Sequence, residues 1–253
     1  MILWPDGDAV VAIGQASHAW LSGQLARAWG NDRFPVPAPW EEVCLGAEQH
    51  DIGMALWDLL PERHPETGRP LQFFELDRRT HLALWTEAPL RLLTQSRYAA
   101  LLVSLHGTGL YERFPPRTDD PEVAQAIADY LGGQRALQER LATEVGATAE
   151  ELHANQALLA AWDGISLALC RRQAAAFEAR NVPGRDGPVT ITLAADGDHH
   201  TLHPWPLNVE ELEVRAEGRR LDGPPVADQP ALHAALERAP VQIVRAMLRP
   251  REP

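Results

Sequence analysis

Apolar residues recur every three or four positions through most of residues 1–183, which is the spacing of one buried helix face. Residues 59–79 interrupt this pattern with proline, glycine and charge, and they predict a long loop. Residues 119–145 predict an amphipathic helix or two, broken at Gly132 and Gly133. The predicted helices cover residues 15–29, 40–54, 94–111, 119–145 and 149–177, with a further helix beginning at residue 80.

The period of the pattern changes to two near the end of the chain, which is typical of strands. Residues 189–193 alternate in this way, and residues 195–198 have the composition of a hairpin turn. The segments 211–216 and 241–247 are further strand candidates, and residues 9–13 are a short extended stretch at the start. The pattern therefore predicts a mainly α protein, with a helical domain at 1–183 and a small β-rich appendage at 184–253 packed on it.

Three predicted helices each carry a metal-ligand type of side chain within an apolar stripe. These residues are His18, the adjacent pair His50-Asp51, and Asp163. A single buried histidine or aspartate more often has a structural role, but a buried carboxylate is costly unless it is paired or bound to a metal. Imidazoles and carboxylates together suit a divalent transition metal such as Mn, Fe, Co, Ni or Zn. We expect one or two such ions.

The segments around these residues resemble the HD superfamily of helical, metal-dependent phosphohydrolases. Its pattern of a first histidine, a His-Asp pair and a distal aspartate matches Ser17-His18-Ala19, Gln49-His50-Asp51-Ile52-Gly53 and Trp162-Asp163-Gly164. More narrowly, the first two segments are similar to an uncharacterised bacterial HD-related family of unknown function. The resemblance implies an HD-type helical bundle in which His18, His50, Asp51 and Asp163 hold the metal.

The same resemblance extends to residues between the pair and the distal aspartate. One branch of the superfamily has additional histidines there that bind a second metal, which implies this role for His81 and His106. His106 is also a candidate acid or base, and Asp51 is placed at the reaction centre. Asp58, one helical turn after the pair, is expected to orient water or substrate.

Substrate contacts are predicted from position alone. All 23 basic residues are arginine, so a charged contact to phosphate must come from arginine. Arg69 and Arg97 are the main candidates, together with Arg78 and Arg79. Trp57 is expected to line a pocket, as Trp20 and Trp85 could. The histidines at 199, 200 and 203 are interpreted as surface residues, because neighbouring positions of a strand face opposite ways.

Composition restricts the partners and the location. A net charge of −12 argues against nucleic acid and against anionic membrane surfaces. No apolar stretch is long enough for a membrane span and no signal peptide is visible, so a cytoplasmic protein is expected. Cys44 and Cys170 lie in apolar helical patterns and predict buried free thiols in a reducing compartment. A homodimer is left open.

These observations favour an HD-type metal-dependent hydrolase acting through metal-activated water. Its expected substrate is a small phosphorylated metabolite or nucleotide. Two alternatives remain: a di-iron HD-type oxygenase, and a non-catalytic binding module that a metal stabilises.

Overall fold

The computed structural model describes residues 1–251 of the chain. Within this range there are eight α-helices: Gln15–Arg27 (α1), Trp40–Gln49 (α2), Ala55–Leu59 (α3), Arg78–Leu90 (α4), Arg97–Arg113 (α5), Pro121–Val145 (α6), Ala149–Cys170 (α7) and Gln229–Arg238 (α8). Seven strands accompany them: Ile2–Asp6 (β1), Ala9–Ile13 (β2), Phe177–Val182 (β3), Val189–Asp196 (β4), His199–His203 (β5), Leu212–Leu221 (β6) and Val241–Pro250 (β7).

The strands described in residues 1–251 form one mixed sheet in the order β1-β2-β6-β7-β5-β4-β3. β5 and β7 are parallel, whereas each other neighbouring pair is antiparallel. The hairpin at the start of the chain therefore extends a sheet whose other strands come from the second half.

The expectation of a mainly α HD-type helical bundle is wrong. The structure is an α/β fold, 48% helical and 21% strand, and its sheet is a half-barrel. Strands from both sides of residue 183 take part in this sheet, because β1, β2 and β3 all precede that position. The division into domains at 183 stays a prediction.

Several local expectations also need correction. The most hydrophobic helix, α7, ends at Cys170, and the segment expected to continue it to residue 177 leads into β3. α8 was not predicted. α6 is one uninterrupted helix through Gly132 and Gly133, since a glycine in an exposed helix interior costs only about 1 kcal/mol relative to alanine.

The main core lies between the sheet and two helices, α1 and α7. Trp29 and Trp162 are fully buried there and meet edge to face, with ring centroids 5.6 Å apart. Cys44 and Cys170 are free, buried thiols, as predicted. No helix within residues 1–251 combines the length and hydrophobicity that crossing a membrane requires.

Candidate metal centre

Side chains from three helical regions meet in the interior beneath the sheet. His18 comes from the first turn of α1, His50 and Asp51 follow the end of α2, and Asp163 comes from α7. Their exposed fractions are 0%, 1%, 5% and 8%. The four residues whose spacing pointed to a metal are therefore brought together, although up to 145 positions separate them along the chain.

The two imidazoles face Asp163 through their Nε2 atoms. Asp163 Oδ1 lies 3.4 Å from His50 Nε2 and 4.0 Å from His18 Nε2. These three ligand atoms all lie within 4.8 Å of one another. The buried group of His18, His50 and Asp163 could thus hold a metal ion.

Asp51 faces the same two imidazoles from another side. Its Oδ2 atom lies 2.7 Å from His18 Nε2 and 3.7 Å from His50 Nε2. The side-chain amide of Gln15 donates a hydrogen bond of 3.1 Å to the same oxygen. Asp51 is consequently held in place from α1 while it contributes a second negative charge to the cluster.

Hydrogen bonds on the far side of each ring decide which nitrogen faces this cluster. His50 Nδ1 donates to the carbonyl oxygen of Ala47 at 2.9 Å. The hydroxyl of Ser166 donates to the carbonyl oxygen of Asp163, so its own oxygen accepts from His18 Nδ1 at 2.8 Å. In the neutral form, both rings therefore point an Nε2 lone pair at a carboxylate.

This arrangement fits a bound cation. A lone pair and a carboxylate repel each other unless a proton or a metal ion lies between them, and burial strengthens that repulsion. His50 Nε2 is buried and has no hydrogen-bond partner within residues 1–251. Metal-ligating histidines commonly donate their other ring N–H to an oxygen, which is what His18 and His50 both do. Two imidazoles and a carboxylate are a donor set for a transition metal.

The pKa values reflect the same electrostatics. Burial opposes ionisation of Asp163, but the nearby imidazoles of His50, His106 and His18 hold its pKa below its ordinary value. Burial likewise opposes protonation of His50, yet the charges of Asp51 and Asp163 raise its pKa to about 9. The carboxylates thus draw positive charge to the position between the rings.

His106 borders the cluster from α5. Its Nε2 atom lies 3.6 Å from Asp163 Oδ2, and its ring meets that of His50 edge to face at 4.9 Å. It also stacks on Trp85 with an interplanar angle of 27°. Burial lowers the pKa of His106 to about 3, so the ring is neutral near pH 7. A neutral ring at this position can bind a metal or accept a hydrogen bond.

Residues 1–223 match the family described as "Protein of unknown function (DUF3891)". The chain belongs to the DUF3891 family. No curated protein and no solved structure matches the chain. The expected membership of the HD superfamily is wrong, because the family found is DUF3891 and the fold contains a mixed sheet that a helical bundle lacks.

Two predicted site residues of this DUF3891 protein have other partners. His81, on α4, bonds through Nδ1 to the hydroxyl of Tyr111 at 2.9 Å. The carboxylate of Asp58 accepts from the backbone N–H of Gln15 at the start of α1, and it lies 3.4 Å from the amino group of Met1. Burial raises the pKa of Asp58. Neither side chain is one of the converging ligands.

The predicted substrate-binding residues also contact other parts of the molecule. Arg69 donates to the carbonyl oxygen of Gly223 at 2.8 Å. Arg97 forms an exposed ion pair with Glu144 at 2.9 Å. Trp57 packs against the apolar cluster that includes residues of α8. Their roles in substrate binding stay predictions.

Two residues that support the cluster were not predicted. Gln15 holds Asp51, and Ser166 holds His18. Each lies three positions from a ligand on the same helix, Gln15 before His18 and Ser166 after Asp163. This spacing places them on the same helix face. A polar residue one turn from a buried ligand is the signal that could have indicated them.

Proposed function

We propose that this DUF3891 protein is a metal-dependent hydrolase whose divalent ion is held by His18, His50 and Asp163. The observation that carries the proposal is the convergence of two buried imidazole Nε2 atoms on the carboxylates of Asp51 and Asp163. Mn, Fe, Co, Ni and Zn are the metals that this donor set favours. The buried free thiols, Cys44 and Cys170, agree with a cytoplasmic location, which forms part of the proposal.

Three protein ligands leave coordination positions for water and substrate, as in catalytic metal sites. A divalent ion there supplies Lewis-acid chemistry, which lowers the pKa of water and polarises a substrate oxygen. Among the three ligands, Asp163 is the most exposed residue, at 8%. We therefore place the approach of substrate on the side of Asp163.

The remaining residues of the cluster have protein-based roles in this proposal. Asp51, fixed by Gln15, balances the charge of the ion and accepts hydrogen bonds. His106 is neutral near pH 7 and adjoins Asp163, so it can bind the ion or accept a hydrogen bond from a water molecule beside it. For a small phosphorylated metabolite or nucleotide, the reaction forms a bond between the water oxygen and phosphorus and breaks the ester P–O bond, and a proton from water ends on the departing alcohol oxygen.

Burial of the cluster favours one alternative, a metal ion with a purely structural role. Four surface cavities of residues 1–251 have volumes of 220 to 790 Å³, and none of these four is lined by the metal-centre residues. A closed site with saturated protein ligands is typical of structural metals. In that case the ion would stabilise the junction of α1, α2 and α7.

Elemental analysis of the purified protein tests the metal site. We expect a stoichiometric divalent transition metal in the wild type and its loss in Asp163→Asn and His50→Ala. His199→Ala is the matched control, since that imidazole lies on β5 beside Asp196 and Asp198. Equal metal content in the wild type and both site variants would refute the proposal.

Assays with phosphomonoesters and nucleotides then separate the two functions. A hydrolase loses turnover when a chelator removes the ion and regains it when the ion is restored. A structural ion, by contrast, changes only the melting temperature, and the metal-loaded protein hydrolyses none of the substrates.

A further inference from the structure

A second polar group lies on the outer side of Trp85 and consists of Arg78, His81 and Tyr111. We call it the Arg78 subsite. Arg78 and His81 belong to the first turn of α4, and Tyr111 belongs to α5. Arg78 Nη1 donates to the Tyr111 hydroxyl at 3.4 Å, and the guanidinium lies 5.7 Å from the centre of the Tyr111 ring.

The hydrogen bonds of this group leave donors unmatched. A guanidinium only donates, so the Tyr111 oxygen accepts from Arg78. We assign the phenol proton of Tyr111 to the 2.9 Å hydrogen bond with His81 Nδ1. His81 then carries its proton on Nε2. Burial and the charge of Arg78 lower the pKa of His81 to about 4, which agrees with a neutral ring.

Arg78 also lacks a counter-ion. Within residues 1–251, no carboxylate oxygen lies within 4.0 Å of its guanidinium, although the chain has 35 acidic residues against 23 arginines. The neighbouring carboxylate of Asp77 accepts instead from the backbone N–H groups of Arg79 and Thr80. Arg79, the next residue, is paired with Glu122. A half-buried arginine in so acidic a chain is therefore left without its usual partner.

Trp85 lies between this group and His106 of the metal centre. Its ring centroid lies 5.8 Å from that of His81 and 5.7 Å from that of His106. The indole N–H of Trp85 is buried and has no acceptor within residues 1–251. Apart from the Arg78 N–H that Tyr111 accepts, the side-chain N–H donors of Arg78, His81 and Trp85 have no acceptor within residues 1–251.

We infer that Arg78 and His81 form an oxyanion-binding subsite that holds a phosphate group of the substrate remote from the phosphorus that reacts at the metal centre. The planar guanidinium can donate two parallel hydrogen bonds to an oxyanion, and the His81 Nε2–H adds a third. The inference rests on the proposed function for its link to catalysis, but the binding of the anion is testable by itself. A carboxylate would satisfy the same donors, so the experiment compares the two anions.

The test is calorimetric titration of inorganic phosphate and of acetate into the full-length protein as purified. We expect phosphate to bind the wild type and Arg78→Gln to weaken its affinity at least about tenfold. Arg79→Gln is the matched control, being adjacent and already paired with Glu122, and it should bind phosphate as the wild type does. His81→Phe keeps a ring of similar size, removes the donor and should also weaken binding. Thermal melts of each variant show that it is folded.

Different outcomes would reassign the ligand of the subsite or rule the subsite out. Acetate binding with the same dependence on Arg78 would assign the subsite to carboxylates, which overturns the phosphate assignment. Phosphate affinity equal in the wild type and Arg78→Gln, or no binding of phosphate at millimolar concentration, would overturn the subsite itself. Metal content measured on the same samples keeps this result separate from failure of the metal centre.

Discussion

At the scale of single residues, the metal centre depends on two hydrogen bonds that contact no ion. The Ala47 carbonyl oxygen accepts a hydrogen bond from His50 Nδ1, and the Ser166 hydroxyl oxygen accepts one from His18 Nδ1. These acceptors select the tautomer whose Nε2 lone pair faces the carboxylates. Ligand orientation and ring basicity are both set in this way.

Replacement of Ser166 by alanine tests this role. The Nδ1–H of His18 would lose its acceptor, so we expect metal affinity to fall by about 10- to 100-fold while the fold is retained. Competition with a chromophoric chelator measures the affinity. Ser104→Ala is the control, because Ser104 is equally buried but bonds to Gln134 away from the cluster. Equal affinities in the two variants would contradict the assignment.

A second prediction at this scale concerns acid stability. The pKa of His81 is lowered from 6.5 to about 4 in the folded protein, so the unfolded chain binds its proton more readily. The free energy of unfolding should be unaffected by His81 above pH 6.5 and should decrease as the pH falls from 6.5 to 4. Urea unfolding at several pH values measures this. His81→Gln should show a shallower decrease over that interval, and an identical pH dependence would show that His81 does not contribute.

At the scale of elements, the turn after the His-Asp pair packs closely against α4. Gly53 lies in a short 3₁₀ turn, Ile52–Met54, that follows Asp51 directly. A Cβ atom at this position would collide with the carbonyl oxygen of Leu84 and lie 3.0 Å from the Cβ of Ala88. Glycine at position 53 therefore allows α4 to pack closely against the turn that follows Asp51, the residue that faces both imidazoles.

Gly53→Ala should accordingly separate the turn from α4. Overpacking of this kind costs about 1–3 kcal/mol in the free energy of unfolding, and it should also weaken metal binding by displacing Asp51. Gly132→Ala is the matched control, since a Cβ there meets nothing within 4 Å and alanine favours a helix interior by about 1 kcal/mol. The melting temperature should therefore fall in Gly53→Ala and rise in Gly132→Ala. If Gly53→Ala were as stable as the wild type, α4 could move away from the turn without any loss in the free energy of unfolding.

At the scale of the whole molecule, the sheet joins the beginning of the chain to its second half and supports α1. β2 pairs with β6 only between Gly218 and Leu221. Before Gly218 on β6, α1 takes the place of β2 beside the strand. The side-chain amide of Gln24 forms two hydrogen bonds with the backbone of Arg215, and the hydroxyl of Ser17 accepts from the backbone N–H of Glu217. The helix that carries His18 is thus attached directly to a strand almost 200 residues away in sequence.

A fragment of residues 1–183 should therefore fail to fold stably. It keeps β1 and β2 but lacks β6, the strand with which β2 pairs and to which α1 forms hydrogen bonds. It also exposes the apolar faces of α1 and α7 that the sheet covers in the full chain. Circular dichroism and resistance to protease would measure the loss relative to the full chain. A cooperative melt of this fragment would instead support an independent helical domain.

Periodicity located most of the helices and, with them, the four residues that converge. His18, the His50-Asp51 pair and Asp163 could be singled out because a polar side chain within an apolar stripe is visible without any structure. The partners of Asp58, His81, Arg69 and Arg97 could not be predicted, since those contacts depend on how separate elements pack. The resemblance to HD proteins rested on the order of the ligands, which does not specify a sheet.

The sequence by itself determined which side chains must be buried and therefore which charges need a partner, because burial follows from local hydrophobic pattern. Only the tertiary structure decided that the two ends of the chain share a sheet, since strand pairing links residues that no local pattern relates. The same is true of the imidazole tautomers and of the unmatched donors at Arg78, because a hydrogen bond is formed by two groups and only the fold brings them together.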